Sequence, residues 1–209
     1  PEYLDDLQRG GIDCINISLD TLRSSAYQAV TGIGGARVET VRTAIALCVL
    51  HGIPVKINAV LMAETAGDII PLASLAQQMP VDVRFIELMP IGNGGQVSGV
   101  SADFALSLLR GRWPDLSLAE GKRGNGPARY YASGALKGCV GFISALSHQF
   151  CGGCNRIRLG STGLLKPCLC YDTSVDLRAV IRGGAPDEAL SEAIRGAVLE
   201  KPREHCFSH

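Results

Sequence analysis

The 209-residue chain has no surplus of charge: 20 Lys and Arg balance 20 Asp and Glu. That balance argues against a general nucleic-acid or anionic-membrane binder, which carries a basic excess. Aromatic residues are scarce at 5%, too few for a base-stacking surface. No apolar run approaches the ~20 residues that span a bilayer. Pro1 to Asp6 have neither the basic nor the apolar part of a secretion signal, so a cytoplasmic location is expected. Low-complexity tracts and internal repeats are missing too. With 46% apolar and 19% charged residues, the composition is that of a folded protein with a sizeable core. The sequence starts without methionine and stops after Cys206-Phe207-Ser208-His209, and the expectation is a piece of a longer polypeptide.

Cysteine is the residue present in excess, with eight copies. A chain this long and apolar has no need of disulfide staples, so the count points to reduced thiols and a metal site. Cys14 and Cys48 lie in apolar patterns and read as small buried hydrophobes. The informative stretch is Phe150-Cys151-Gly152-Gly153-Cys154-Asn155-Arg156-Ile157-Arg158-Leu159, followed by Lys166-Pro167-Cys168. Thiolates at C-x2-C-x13-C spacing suit zinc or an iron–sulfur cluster. Arg156 and Arg158 share a face if the segment is extended, and guanidinium forks bind phosphate or carboxylate oxygens. Structural zinc needs a fourth ligand, for which Cys170, His148 and Cys139 are available. A cluster held by three cysteines instead leaves one iron open to a small anionic molecule. Spacing alone leaves both metals open, and a zinc-stabilised module that binds an anion or a partner without catalysis is the non-enzymatic alternative.

The first half alternates strands and helices. Strand patterns cover residues 12–18, 54–61 and 81–89. Helical spacing joins Val38, Val41, Ile45, Cys48 and Val49, closed by His51-Gly52, and a second helix spans Asp68 to Met79 with Pro71 in its first turn. Single helices between strands give parallel βαβ units, hence an α/β fold. A closed eight-unit barrel needs about 250 residues, so only part of one fits. Asn16, Ser18, Lys56 and Asn58 alternate with apolar residues on strands that should be buried on both faces. They line an internal or barrel-top site, or else mark edge strands with a wet face. A helix over 102–110, short strands near 128–132 and 141–144, an apolar stretch at 175–181, and a helix carrying Leu190, Ile194 and Val198 complete the chain. The expected division is a barrel portion over 1–95 and a smaller α+β region with the cysteine site over 96–209.

Asn16-Ile17-Ser18-Leu19-Asp20, Thr31-Gly32, Pro54-Val55-Lys56-Ile57-Asn58, Arg84-Phe85-Ile86-Glu87-Leu88-Met89-Pro90-Ile91-Gly92, Gly141-Phe142-Ile143-Ser144 and the cysteine–arginine block occur in this order. Together they resemble the molybdenum cofactor biosynthesis protein A family, the radical S-adenosylmethionine GTP 3′,8-cyclases, and the resemblance runs nearly end to end. It implies part of a partial TIM-type barrel followed by a region carrying a [4Fe–4S] cluster on Cys151, Cys154 and Cys168. It implies GTP contacts from Lys56, Arg156, Ile157 and Arg158, and S-adenosylmethionine contacts from Ser18 and Met89. The reaction implied is radical conversion of GTP to a 3′,8-cyclised nucleotide, a lyase step of molybdenum cofactor biosynthesis. A homodimer and delivery of the product to a cyclic pyranopterin monophosphate synthase are implied as well. Arg84 stays outside this set, because strict alternation puts it opposite Met89. The family's radical-generating C-x3-C-x2-C motif does not occur in this sequence, so the first [4Fe–4S] cluster and its S-adenosylmethionine are expected in the longer parent; the terminal glycine pair is missing, and Ala145 stands where Pro is usual. The expectation is that these residues alone generate no radical and that the chain tends to associate or aggregate through an unpaired strand edge.

Overall fold

The structure is a computed structural model that describes residues 3–35, 37–121 and 123–207. The chain divides into two compact units between His148 and Gln149.

The first unit is α/β. It comprises α1 (Leu4–Arg9), β1 (Ile15–Ser18), α2 (Ser24–Thr31), α3 (Val38–Leu50), β2 (Val55–Leu61), α4 (Ile69–Gln78), β3 (Asp82–Glu87), α5 (Ala102–Arg112), β4 (Ser117–Leu118), β5 (Arg129–Ala132) and β6 (Val140–Ile143). One six-stranded sheet runs in the order β1-β2-β3-β6-β5-β4. The pairs β1/β2, β2/β3 and β3/β6 are parallel, while β5 and β4 add antiparallel strands at one side.

The two faces of the sheet differ. Val55, Ile57, Ala59 and Leu61 of β2 lie in one apolar core with Val83 and Phe85 of β3, Val140 and Phe142 of β6, and residues of α3, α4 and α5. The period of two in β2 drives this, because alternate side chains meet the helices. The other face carries Asn16, Ser18, Lys56, Asn58 and Arg84, exposed or half-buried. Parallel sheets are usually covered on both faces, so an open polar face is a feature to explain.

Local signals account for the helix ends. The α3 helix closes where Gly52 takes a φ of +69°, a conformation glycine adopts without a Cβ clash. Pro71 is the third residue of α4, where a missing N–H costs no helical bond. Ser101 caps α5 by accepting from the Phe104 N–H at 3.1 Å, satisfying one orphan donor. The expectation missed α2, which has no buried residue and so leaves no apolar stripe to read.

The expected boundary at residue 95 falls inside the first unit. Residues 96–148 supply β4, β5 and β6, and β6 pairs in parallel with β3 through Val83–Val140 to Ile86–Ile143. That long-range pairing makes 96–148 part of the same sheet.

The second unit contains β7 (Arg158–Leu159), β8 (Leu164–Lys166), β9 (Val175–Asp176), α6 (Leu177–Arg182) and α7 (Asp187–Leu199). Its sheet is antiparallel, in the order β7-β8-β9. The apolar stretch expected at 175–181 therefore splits into β9 and α6, with the Asp176 carboxylate accepting from the Ala179 N–H at 2.9 Å to start the helix. Leu165, Leu177 and Ala197 form its small core, with Val175, Leu190, Ala193 and Ile194 packed against them.

Candidate functional site

In the second unit, a single 3-10 turn, Cys151–Gly153, separates the first pair of thiols, with Cys151 opening it and Cys154 following it. The Gly153 N–H donates to the Phe150 carbonyl at 3.0 Å and the Cys154 N–H to that of Cys151 at 3.1 Å. The chain then enters the β7/β8 hairpin, which pairs Arg158 with Lys166 and Leu159 with Leu165. The thirteen-residue gap of the motif is this hairpin. Cys154 precedes β7 and Cys168 follows β8, so antiparallel pairing returns the chain to the same end of the ladder. All three cysteines are free and half-buried, whereas Arg156, Ile157 and Arg158 are exposed.

Lys201, just past α7, closes this block. Its Nζ donates to the carbonyls of Cys154 and Arg156, both at 2.7 Å, and lies 3.4 Å from the Cys154 Sγ. A cation bonded to two carbonyls holds that backbone in shape and places positive charge against one sulfur. No sequence signal beyond a lysine ahead of a proline marked this residue.

The three fourth-ligand candidates are distributed over both units. Cys139 is buried just before β6, donates its N–H to the Asp82 carboxylate at 3.0 Å, and has its thiol pKa raised chiefly by burial. His148 bonds the Asp103 carboxylate at 2.9 and 3.0 Å. Both belong to the first unit. Cys170 lies in the second unit, where its sulfur accepts from the Cys206 N–H at 2.9 Å. Among the described residues, no three Cys, His, Asp or Glu side chains are gathered as a metal-holding group. The donor set suits a thiolate-bound metal in kind and in spacing; its sulfurs are not converged.

In the first unit the polar face is an ordered row. Ser18, Asn58, Arg84, Gly141 and Tyr130 follow one another across β1, β2, β3, β6 and β5, and Asn16, Lys56 and Asp82 form the adjacent row. The Arg84 guanidinium donates to the Asn58 amide oxygen at 2.8 Å and to that of Asn16. Lys56 lies 5.9 Å from the Tyr130 ring centroid and donates to the Arg123 carbonyl at 3.3 Å. Gly141 is required where it sits: a Cβ there would meet the Tyr130 ring at 2.9 Å and Arg84 Cγ at 3.2 Å. Burial raises the Tyr130 hydroxyl pKa, and the Arg84 charge opposes that rise. Two cations on a wet, hydrogen-bonded face can take an anion.

Arg84 thus shares its face with Lys56 and Asn58. Strict alternation opposite Met89 does not govern Arg84, because β3 ends at Glu87 and the period of two ends with it. Ser18 is the last residue of β1 and Met89 follows β3 by two, so both stand at the carboxyl ends of parallel strands, where α/β sheets place ligands.

Glu87 was also missed. Its buried carboxylate accepts from the N–H groups of Ala102 at 2.9 Å, Leu146 at 2.7 Å and Ser147 at 2.9 Å, and from the Ser147 hydroxyl. Burial alone raises its pKa, but these donors outweigh it and hold the carboxyl below its usual range. It pins the start of α5 and the loop after β6 to the end of β3.

The described residues contain no helix long and apolar enough to cross a membrane. Over most of its length the chain is similar to curated proteins named GTP 3′,8-cyclase. It is 40% identical to that of Clostridium perfringens strain SM101 over 203 residues, which is 97% of this chain and 62% of the relative. It is 43% identical to that of Heliobacterium modesticaldum, covering 98% and 64%, and 36% identical to that of Rhodobacter capsulatus, covering 99% and 63%. The chain thus spans less than two thirds of the length of these relatives. Residues 81–207, which include β3, the cysteine–arginine block and Lys201, match the family described as Molybdenum Cofactor Synthesis C, and the chain belongs to that family.

Proposed function

We propose that this chain is the GTP-handling part of a GTP 3′,8-cyclase of molybdenum cofactor biosynthesis. The observation that carries the reading is the cysteine–arginine block, in which three free thiols adjoin exposed Arg156 and Arg158 with the intervening backbone held by Lys201. Cys151, Cys154 and Cys168 hold a [4Fe–4S] cluster in this reading, and the β7/β8 hairpin returns the third thiol toward the first two. When bound, such a cluster supplies an iron open to the guanine of GTP. Arg156 and Arg158 neutralise phosphate charge, and Ile157 packs between them against the nucleotide.

In the first unit Lys56 contributes a further cation for phosphate. Arg84, steered by Asn58 and Asn16, belongs with it on geometric grounds. Ser18 and Met89 would contact S-adenosylmethionine, whose reductive cleavage to a radical needs one electron from the cluster of a C-x3-C-x2-C motif that this sequence does not contain. The open polar face of a helix-backed parallel sheet is then the inner wall of a partial barrel, which explains its departure from the two-sided burial of ordinary parallel sheets. The homodimer and the pyranopterin-forming synthase downstream enter with the same family reading.

The test is metal and sulfide analysis of the anaerobically reconstituted chain, followed by its spectrum with GTP. The expected result is about four irons and four sulfides per chain, with a signal that GTP perturbs and that Arg156→Ala, Arg158→Ala no longer shifts. Stoichiometric zinc without sulfide, and no response to GTP, would replace this reading with a metal-stabilised anion-binding module.

A further inference from the structure

Two cysteines outside the C-x2-C-x13-C set meet in the second unit. Cys170 follows the hairpin, and Cys206 follows α7 near the end of the described chain. The Cys206 N–H donates to the Cys170 sulfur at 2.9 Å, and the Cys206 thiol donates to the Cys170 carbonyl at 3.5 Å. The flanking residues keep this register: the Tyr171 hydroxyl donates to the Glu204 carbonyl at 3.3 Å. Both thiols are free, with Cys206 exposed and Cys170 half-buried. A disulfide needs its two Cα atoms within roughly 4.4–6.8 Å. The N–H on the partner sulfur and the thiol on the partner carbonyl set the two residues directly against each other, the adjacency a disulfide requires.

We propose that Cys170 and Cys206 form a reversible disulfide, with a low-molecular-weight disulfide such as oxidised glutathione as the oxidant. Exposed Cys206, as thiolate, attacks a glutathione sulfur, forming a mixed disulfide and expelling one glutathione thiolate. The Cys170 sulfur then attacks the Cys206 sulfur, forming the protein disulfide and expelling the second glutathione. Two protein thiols lose two electrons and two protons, and one glutathione disulfide becomes two thiols. The bond spans 36 positions of sequence, enclosing β9, α6 and α7, and it ties the segment after Lys201 to the stretch after Cys168. It takes Cys170 out of competition for a metal held by Cys151, Cys154 and Cys168. The Cys170–Cys206 contact is independent of any metal or nucleotide at the cysteine–arginine block.

The test is native incubation of the whole chain with oxidised glutathione, alkylation of remaining thiols, and peptide mapping. The expected result is a Cys170–Cys206 cross-linked peptide, loss of alkylation at both positions, and recovery of both on adding dithiothreitol. In Cys170→Ser, Cys206 should instead stop as its glutathione adduct. Persistence of that adduct in the unsubstituted chain, cross-linking of either thiol to Cys151, Cys154 or Cys168, or no reaction at either position would each overturn the proposal.

Discussion

The two units of this chain solve stability differently. The first buries Ile57, Val83, Phe85, Leu72, Leu109 and Val140 almost completely between one sheet face and three helices. The second buries only Leu165, Pro167, Leu177 and Ala197 among its described residues, and none of its strands exceeds three residues. Small units bury proportionally less surface and lean on other ties. Here those ties are turn hydrogen bonds, the Lys201 anchor, the Cys170–Cys206 contact and, in the proposed reading, a metal. Rigid burial supports the row of polar residues in the first unit, whereas the second unit assembles its site from loops.

The largest expected difference between the units lies at the thiols. Cys168→Ala should abolish metal binding after reconstitution, while Cys170→Ala should retain it; equal metal content in both variants would defeat the ligand assignment. Because binding energy of a structural metal is also folding energy, Cys168→Ala should further lower the melting of the second unit, read by amide exchange over 150–206. In the first unit the largest effect belongs to packing. Phe85 is 1% exposed and stacks against Phe142 at 5.7 Å, so Phe85→Ala should cost about 3–5 kcal/mol in denaturant unfolding. A loss under 1 kcal/mol would contradict a burial-dominated unit.

A smaller effect is expected at Glu87, whose donors are stranded in Glu87→Gln at a cost of ~1–3 kcal/mol. The sign of its pH dependence follows from the lowered pKa. A carboxyl bound more tightly as the anion in the folded state contributes fully above its unfolded pKa of ~4.3. That contribution disappears as pH falls through the folded value. The stability gap between the chain and Glu87→Gln should therefore close on acidification below about pH 4; a gap that widens would refute the anionic anchor. Lys201→Met should have the mildest effect, roughly 1 kcal/mol, seen as faster amide exchange across 154–156.

Elements with strong short-range signals were legible. β2 and β3 announce themselves by alternation, α3 by its Val38, Ile45 and Cys48 stripe, and α5 by its Ser101 cap. The α2 helix, without a buried face, was invisible for the same reason. The thiol spacing pointed to Cys151, Cys154 and Cys168 as a set, and the hairpin explains its thirteen-residue gap. Arg84 and Glu87 were not legible, since their roles depend on where β3 stops and on partners as distant as Asn16 and Ser147.

By itself, then, the sequence determined the alternating α/β elements, the donor chemistry of the cysteine block and the presence of polar residues on apolar strands. Each of these rests on neighbours a few positions away, where periodicity and spacing act. Tertiary structure alone decided that β6 joins β3, that the first unit extends to residue 148, that Lys201 clasps the Cys154 backbone and that Cys170 meets Cys206. Those outcomes depend on which distant surfaces are buried together, and no local pattern encodes that choice.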